Sequence, residues 1–330
     1  FEEAAMRKKV FAAVIVFLTL TVFISDPTFA AWTQAKGHAY NQLTVSRYVT
    51  GKKFTTVQAD YDNIAKGTGN DIRVLRTAGF VSESISYYGE YGITDTLTVF
   101  TSIPWKWTKS DDTRRYANSD GPTGVGDIDL GLRYNLTKNV LGAGALMSIQ
   151  GAVKIPEAYE YGHPLKELSL GDGQYDAKLE LLLGRGFGKG YAGLTAGYKY
   201  RFENSEYYSF KPSDQVSVKI WGGYAVLSWL SIRGLVDWTK SVGNAEVSDE
   251  LIIESYQYGG LSKSKDNVLI RDTLGLEPSY LNASISLAFN ITQKIQTVLS
   301  YSTDLKGIPP FESRDWAKGE TFSVAWVYLY

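Results

Sequence analysis

Twelve charged side chains recur at alternate positions through the middle of the chain: Lys106, Asp129, Arg133, Lys154, Asp176, Lys178, Glu180, Lys199, Arg201, Lys219, Arg233 and Asp237. Their immediate neighbours are mostly apolar, so in each segment the charges share one side of an extended backbone, where side chains alternate with period two. Facing a water-filled lumen, they would form a charged constriction that sorts solutes by charge and size. Paired across adjacent strands, they would fill and stiffen a wall instead. The two roles are compatible, and these residues are expected to line a lumen.

Groups that would make an enzyme are sparse. The chain has two histidines, His38 and His163, and no cysteine. No G-x-S-x-G elbow supplies a nucleophile with a base. His38 precedes the first apolar stretch, and His163 stands in a loop beside Pro164. The run GDGQYD at 171–176 lacks the acidic spacing of a calcium loop and reads as a turn. The Gly-rich runs GVGD and GRGFGKG precede no helix, so they read as turns and not as phosphate cradles. No catalytic residue, cofactor or metal is expected. Loop aromatics Tyr207, Tyr208, Tyr256 and Tyr258 are placed either to gather aromatic solutes or to pack within folded loops. A formal net charge of −1 leaves no basic footprint for nucleic acid.

The elements that would position the charges are strands. In Asp127 to Leu136, Ile128, Leu130, Leu132, Tyr134 and Leu136 share one face. Asp127, Asp129, Gly131, Arg133 and Asn135 share the other. Gly190 to Phe202 repeats the pattern with Leu194, Tyr198 and Tyr200 opposite Thr195, Lys199 and Arg201. The last segment gathers Phe322, Val324, Trp326, Tyr328 and Tyr330. A soluble sandwich also alternates, but two features favour a membrane barrel. Tyr and Trp cap many apolar faces, as an interfacial girdle requires, and the connections alternate between short and long. Short ones fall at 92–95, 138–139, 187–188, 227–228 and 292–293; long polar ones near 50–77, 108–124, 156–172, 203–212, 242–277 and 305–317.

Strands are expected over 36–49, 78–91, 96–107, 125–137, 140–155, 174–186, 189–202, 213–226, 229–241, 279–291, 294–304 and 319–330. The result is an all-β, transmembrane, antiparallel up-and-down barrel of about twelve strands, with both termini on the short-turn, periplasmic side. The loops at 50–77 and 242–277 have room for a further hairpin each. Outward pairing from a turn at Phe187-Gly188 sets Asp176 opposite Lys199. Leu132 and Leu194 are expected on the lipid face.

The N-terminus reads as an export signal. Met6-Arg7-Lys8-Lys9 is basic, Val10 to Ile24 is almost unbroken apolar sequence, and Thr28-Phe29-Ala30 is a small-x-Ala cleavage site. The apolar run is shorter than the roughly 20 residues of a spanning helix. Residues 1–30 are therefore a cleavable signal peptide, with Phe1 to Ala5 upstream of a plausible start at Met6, and 31–330 form the barrel.

Three stretches carry a resemblance: Tyr91-GITDTLTVFTSIP-Trp105, Gly124-VGDIDLGLRYNL-Thr137 and Leu170-GDGQYDAKLELLLGRGF-Gly188. With the order of leader, strand, long loop and repeated hairpins, they resemble the family of bacterial outer-membrane transporters named for the meta-pathway of phenol degradation. The resemblance covers most of the mature chain. It implies a transport role in the bacterial outer membrane, but not phenol as solute, and supplies no catalytic residues. The expected partners are outer-membrane lipid, the barrel-insertion machinery, which resemblance to other outer-membrane proteins implies would read the aromatic last strand, and a small-molecule solute. The leading function is passive diffusion of small solutes, aromatic or hydrophobic compounds among them. A structural or adhesive barrel acting through its loops is the alternative, and an outer-membrane hydrolase the third.

Overall fold

A computed structural model describes residues 31–55, 72–112, 120–140, 142–257 and 274–330. The expected leader at 1–30 and Tyr258 lie outside the described residues, as do 56–71 and 258–273. Twelve antiparallel strands follow one another in chain order: β1 Ala39–Thr55, β2 Arg73–Thr94, β3 Leu97–Ser110, β4 in two pieces, Asp120–Val125 and Ile128–Val140, β5 Ala145–Ile155, β6 Asp176–Phe187, β7 Gly190–Arg201, β8 Asp214–Leu227, β9 Leu230–Val242, β10 Tyr280–Asn290, β11 Ile295–Leu305 and β12 Trp316–Leu329. Each pairs with its neighbours in sequence, and β1 pairs with β12 from Tyr40↔Leu329 to Phe54↔Trp316. Closure leaves the sheet without an edge, the condition for crossing lipid with strands.

Alternation decides which way each side chain points. Leu43, Leu132, Leu179, Ile220, Ile285 and Phe322 stand exposed on the outer face. So many bare apolar groups are stable only against lipid. Aromatics bound this band at both ends: Tyr87, Tyr91, Tyr134 and Trp326 near the short turns, Trp105, Trp107, Tyr198 and Tyr200 near the long loops. The inner face carries Thr98, Arg133, Ser148, Glu180 and Gln296, all buried. This is the outer-membrane barrel architecture, with an apolar wall and a polar lumen.

Several boundaries differ from the sequence expectation. β1 and β2 run on past residues 49 and 78, and pair as far as Thr55↔Arg73 with a bulge near Thr50. The turn expected at 138–139 falls at 142–144, because Gly142 and Gly144 accept positive φ and the Asn139 carboxamide takes the Gly144 N–H at 2.8 Å. The β6–β7 turn is Gly188-Lys189, with Gly188 at φ +54 and Phe187 still paired to Gly190. β4 breaks at Gly126-Asp127, opposite Pro104. Gly126 N–H donates to the Pro104 carbonyl, so the proline's missing N–H falls on this same side.

The long loops hold their own structure. Helix α1, Asp249–Gln257, lies in the 242–277 connection, where a loop or hairpin was expected. Ser248 precedes it as N-cap, and Asp249 and Glu250 favour its positive end. Leu165, Phe210, Ala245, Leu251 and Leu276 form a small buried core there, joining three long loops into a cap over the barrel mouth.

Candidate functional site

The lumen is layered. Its periplasmic layer is occupied by the chain's own segment Ala31–Lys36, which turns inward ahead of β1. Ser148 Oγ donates to the Ala31 carbonyl at 2.6 Å, and Arg133 Nη1 to the Trp32 carbonyl at 3.0 Å. Gln34 N–H donates to Thr98 Oγ1 at 2.8 Å, and its carboxamide to Glu90 Oε2 at 2.7 Å. The Trp32 ring meets Trp221 edge-on at 6.2 Å, within an apolar cluster of Ala31, Leu146, Leu182 and Trp221. Glycines make the room: a Cβ on Gly184 would lie 2.7 Å from the Trp32 ring, and one on Gly193 would lie 2.0 Å from Trp221. The segment thus lies across the lumen from β2 to β8.

Arg133 anchors this layer. Nη2 pairs with Glu90 at 3.0 Å, Nε donates to Gln150 Oε1 at 2.8 Å, and the guanidinium lies over the Phe100 ring. Gln150 passes a hydrogen bond on to Glu180 at 2.8 Å. Glu180 Oε1 in turn faces Lys178 at 2.6 Å and Lys219 at 3.7 Å.

Above lies a cavity of about 210 Å³, lined by six of the twelve predicted charges: Asp129, Lys154, Asp176, Lys178, Lys199 and Lys219. Glu180, Arg201 and Asp237 pair with these. Three predicted residues stand apart. Lys106 donates to the Leu170 carbonyl, Arg233 to Gln296, and Arg133 belongs to the lower layer. The expected Asp176–Lys199 opposition is corrected: Asp176 faces Arg201 in register, and Lys178 faces Lys199. Moving the turn by one residue shifts every partner by two, which preserves the face but changes the pair. Asp176 still meets Lys199 diagonally at 4.0 Å.

A roof separates this cavity from the cap. Lys154 Nζ sits among Asp172 at 2.7 Å, Asp176 at 2.9 Å and Asp127 at 3.4 Å. Arg201 joins Asp172 and Asp176 from the other side. A second cavity of about 260 Å³ lies under the cap, lined by Tyr161, Leu168, Asp172, Arg201, Phe210 and Leu276 among others.

The cap is fastened to α1 by His163 and Lys166, which both meet Glu254 Oε1 at 2.8 Å. His163 Nδ1 accepts the Leu165 N–H, which assigns the ring proton to Nε2 facing Glu254. Tyr207 packs against the same ring at 4.7 Å and Tyr208 at 6.0 Å. Burial pushes the Glu254 carboxyl up, but interactions with Lys166, Tyr208 and His163 outweigh it and hold the group at about 2. His38, at the opposite end, meets the Tyr330 carbonyl at 3.0 Å.

Residues that the sequence expectation left out are Trp32, Gln34, Glu90, Gln150, Gln215 and Glu254. Glu90 was within reach, since it has the inward parity of its strand. The Ala31–Lys36 segment carries no periodicity to mark it.

No protein-family model matches the sequence, and no curated protein does. Among solved structures, the fold is similar to the COG4313 outer-membrane channel from Pseudomonas putida F1, with a TM-score of 0.66 at 15% identity over 93% of this chain and 100% of that one. More distant are the NanC porin, with a TM-score of 0.45 at 8% identity over 87% of this chain and 99% of that one, and the P. putida toluene transporter TodX, with a TM-score of 0.41 at 10% identity over 93% of each.

Proposed function

We propose that the mature chain, beginning at Ala31 after removal of the leader, is an outer-membrane channel through which small solutes diffuse passively. The observation that carries this reading is a charged lumen held between two closures that are not part of the barrel wall. Below is the Ala31–Lys36 segment, fixed mainly by hydrogen bonds; above is the loop cap, fixed by ion pairs and a small core. Both are local structures able to open without parting strands, the usual character of elements that move. The charged lining supports polar solutes more directly than hydrophobic ones; aromatic solutes fit where they carry polar groups. The similarity of the fold to the COG4313 outer-membrane channel supports the channel reading and leaves the solute to the lumen's chemistry.

Single-channel recording of refolded 31–330 in a planar bilayer tests the reading. The intact chain should conduct in small or intermittent steps, and a variant lacking residues 31–36 in larger and steadier ones. Silence from both, with correctly folded protein, overturns it.

A further inference from the structure

The cavity wall is asymmetric in a way that a plain lattice of ion pairs does not require. Lys178, Lys199 and Lys219 come from three successive strands, β6, β7 and β8, and their side chains are 28, 31 and 27% exposed. The carboxylates beneath them, Asp176 and Glu180, are 2 and 4% exposed. The inner surface therefore presents three ammonium groups and one exposed carboxylate, Asp129, while Asp176 and Glu180 are sunk into the wall.

Compensation is also thin. Lys178 and Lys219 share one oxygen of Glu180, and Lys219 has Asp237 at 3.7 Å. Among the described residues, Lys199 has a single carboxylate within 4.0 Å, Asp176 at that limit. Lys178 and Lys199 are direct cross-strand partners, an arrangement of like charges that destabilises a sheet. An anion seated between the three would relieve it. Asp129 is the carboxylate that lines the cavity from β4, and Lys154 beside it is already held by three carboxylates.

A second observation points to a ligand with a hydrogen-bond donor. Gln215 lines the same cavity and is 4% exposed, and its Oε1 is buried without a partner. A buried acceptor left unpaired is costly, and a donor arriving from the cavity would satisfy it. Ser217 and Thr239 add hydroxyls, and the lysine stems, Ala152 and Tyr280 supply apolar stretches between. At about 210 Å³ the space lies below the roughly 300–1,000 Å³ of pockets for drug-sized ligands.

We propose that this cavity is a binding subsite for a small hydroxylated organic carboxylate, its carboxylate held by Lys178, Lys199 and Lys219 and its hydroxyl donated to Gln215. The proposal deepens the channel reading and rests on it for the route by which the ligand arrives.

Equilibrium binding tests the site without transport. Folded 31–330 in detergent is titrated calorimetrically with para-hydroxybenzoate, with neutral para-hydroxybenzyl alcohol and with benzoate, which lacks the hydroxyl. Para-hydroxybenzoate should bind saturably, benzoate more weakly, and the alcohol not at all. Lys199→Gln should weaken binding about tenfold, the scale of one charge-assisted contact, while Lys199→Arg stays near wild type. Heat-modifiable migration confirms that each variant is a folded barrel. No saturable binding to the wild type, equal binding of the alcohol, or an unchanged constant in folded Lys199→Gln overturns the proposal. A conducting channel that fails this titration leaves the channel reading standing, and a silent barrel that binds leaves the subsite standing.

Discussion

Arg133 and Glu90 form an ion pair of 3.0 Å inside the barrel, with side chains 4 and 8% exposed. The pair does more than neutralise two charges. Arg133 also donates to the Trp32 carbonyl, and Glu90 accepts from the Gln34 carboxamide, so the inward segment is gripped by both partners, once at its backbone and once at a side chain.

Breaking a buried pair from one side strands the other charge. Arg133→Met should destabilise the barrel by about 3–5 kcal/mol, and adding Glu90→Gln should recover part of it. Urea unfolding in lipid vesicles checks both. Equal stability of the single and double variants would show that Glu90 is satisfied without Arg133, by the Tyr88 hydroxyl, which donates to its Oε1 at 2.6 Å, and by Gln34.

The lipid face gives a test of register. Leu132 is 50% exposed on the outer wall, so Leu132→Arg should cost roughly 2–4 kcal/mol in a bilayer. Thr195 and Gly131, the inward neighbours of Leu194 and Leu132, make poor controls: Thr195 accepts the Trp221 indole N–H, and a Cβ on Gly131 would meet Phe100. Ser302→Arg, on the inward face of β11, should cost much less. Equal losses from both substitutions would place Leu132 away from lipid.

Acid should act on the cap through Glu254. Its folded-state pKa, about 2, lies below the ordinary 4.5, so its contribution is complete above about pH 4.5 and fades as pH falls toward 2. Hydrogen exchange in α1 should therefore quicken, relative to β6 and β7, only on descent through that window. Glu254→Gln should show the faster exchange already at neutral pH. An α1 equally protected in the variant would mean that the cap's apolar core suffices.

The last strand ends with Trp326, Tyr328 and Tyr330 pointing outward, and Tyr330 exchanges two backbone hydrogen bonds with Ala39 at the seam. Removing 328–330 should cut the outer-membrane yield sharply if the insertion machinery reads this strand. Wild-type amounts of heat-modifiable barrel from the shortened gene would count against that.

The fold was legible because strand parity is a local property. Leu132 beside Arg133, or Tyr198 beside Lys199, reveals two faces without any knowledge of partners. Parity also put Asp176, Lys178 and Lys199 on one face, but it could not say which of them meet. Register depends on turn geometry, and the choice between Phe187-Gly188 and Gly188-Lys189 rests on a single backbone torsion. The inward segment was hidden for a different reason: Ala31–Lys36 is ordered by contacts to β2, β3, β4 and β5, residues distant in sequence. Helix α1 did leave a trace, Ser248 followed by Asp249 and Glu250, which a polar-loop reading passed over.

The inward segment is also a tether of fixed length. It is joined to β1 through Gly37, at φ +80, beside the seam where Ala39 meets Tyr330. At about 3.3–3.6 Å per residue, Ala31 to Lys36 reaches roughly 20 Å when fully drawn out, short of the roughly 30 Å thickness of the hydrocarbon layer. Anchored at the periplasmic rim, it falls short of the loops at the far end, however it moves. One continuous polar route from it up the wall runs by way of Arg133, Gln150 and Glu180 to Lys178. A displacement of residues 31–36 would thus reach Lys178 through three intervening side chains.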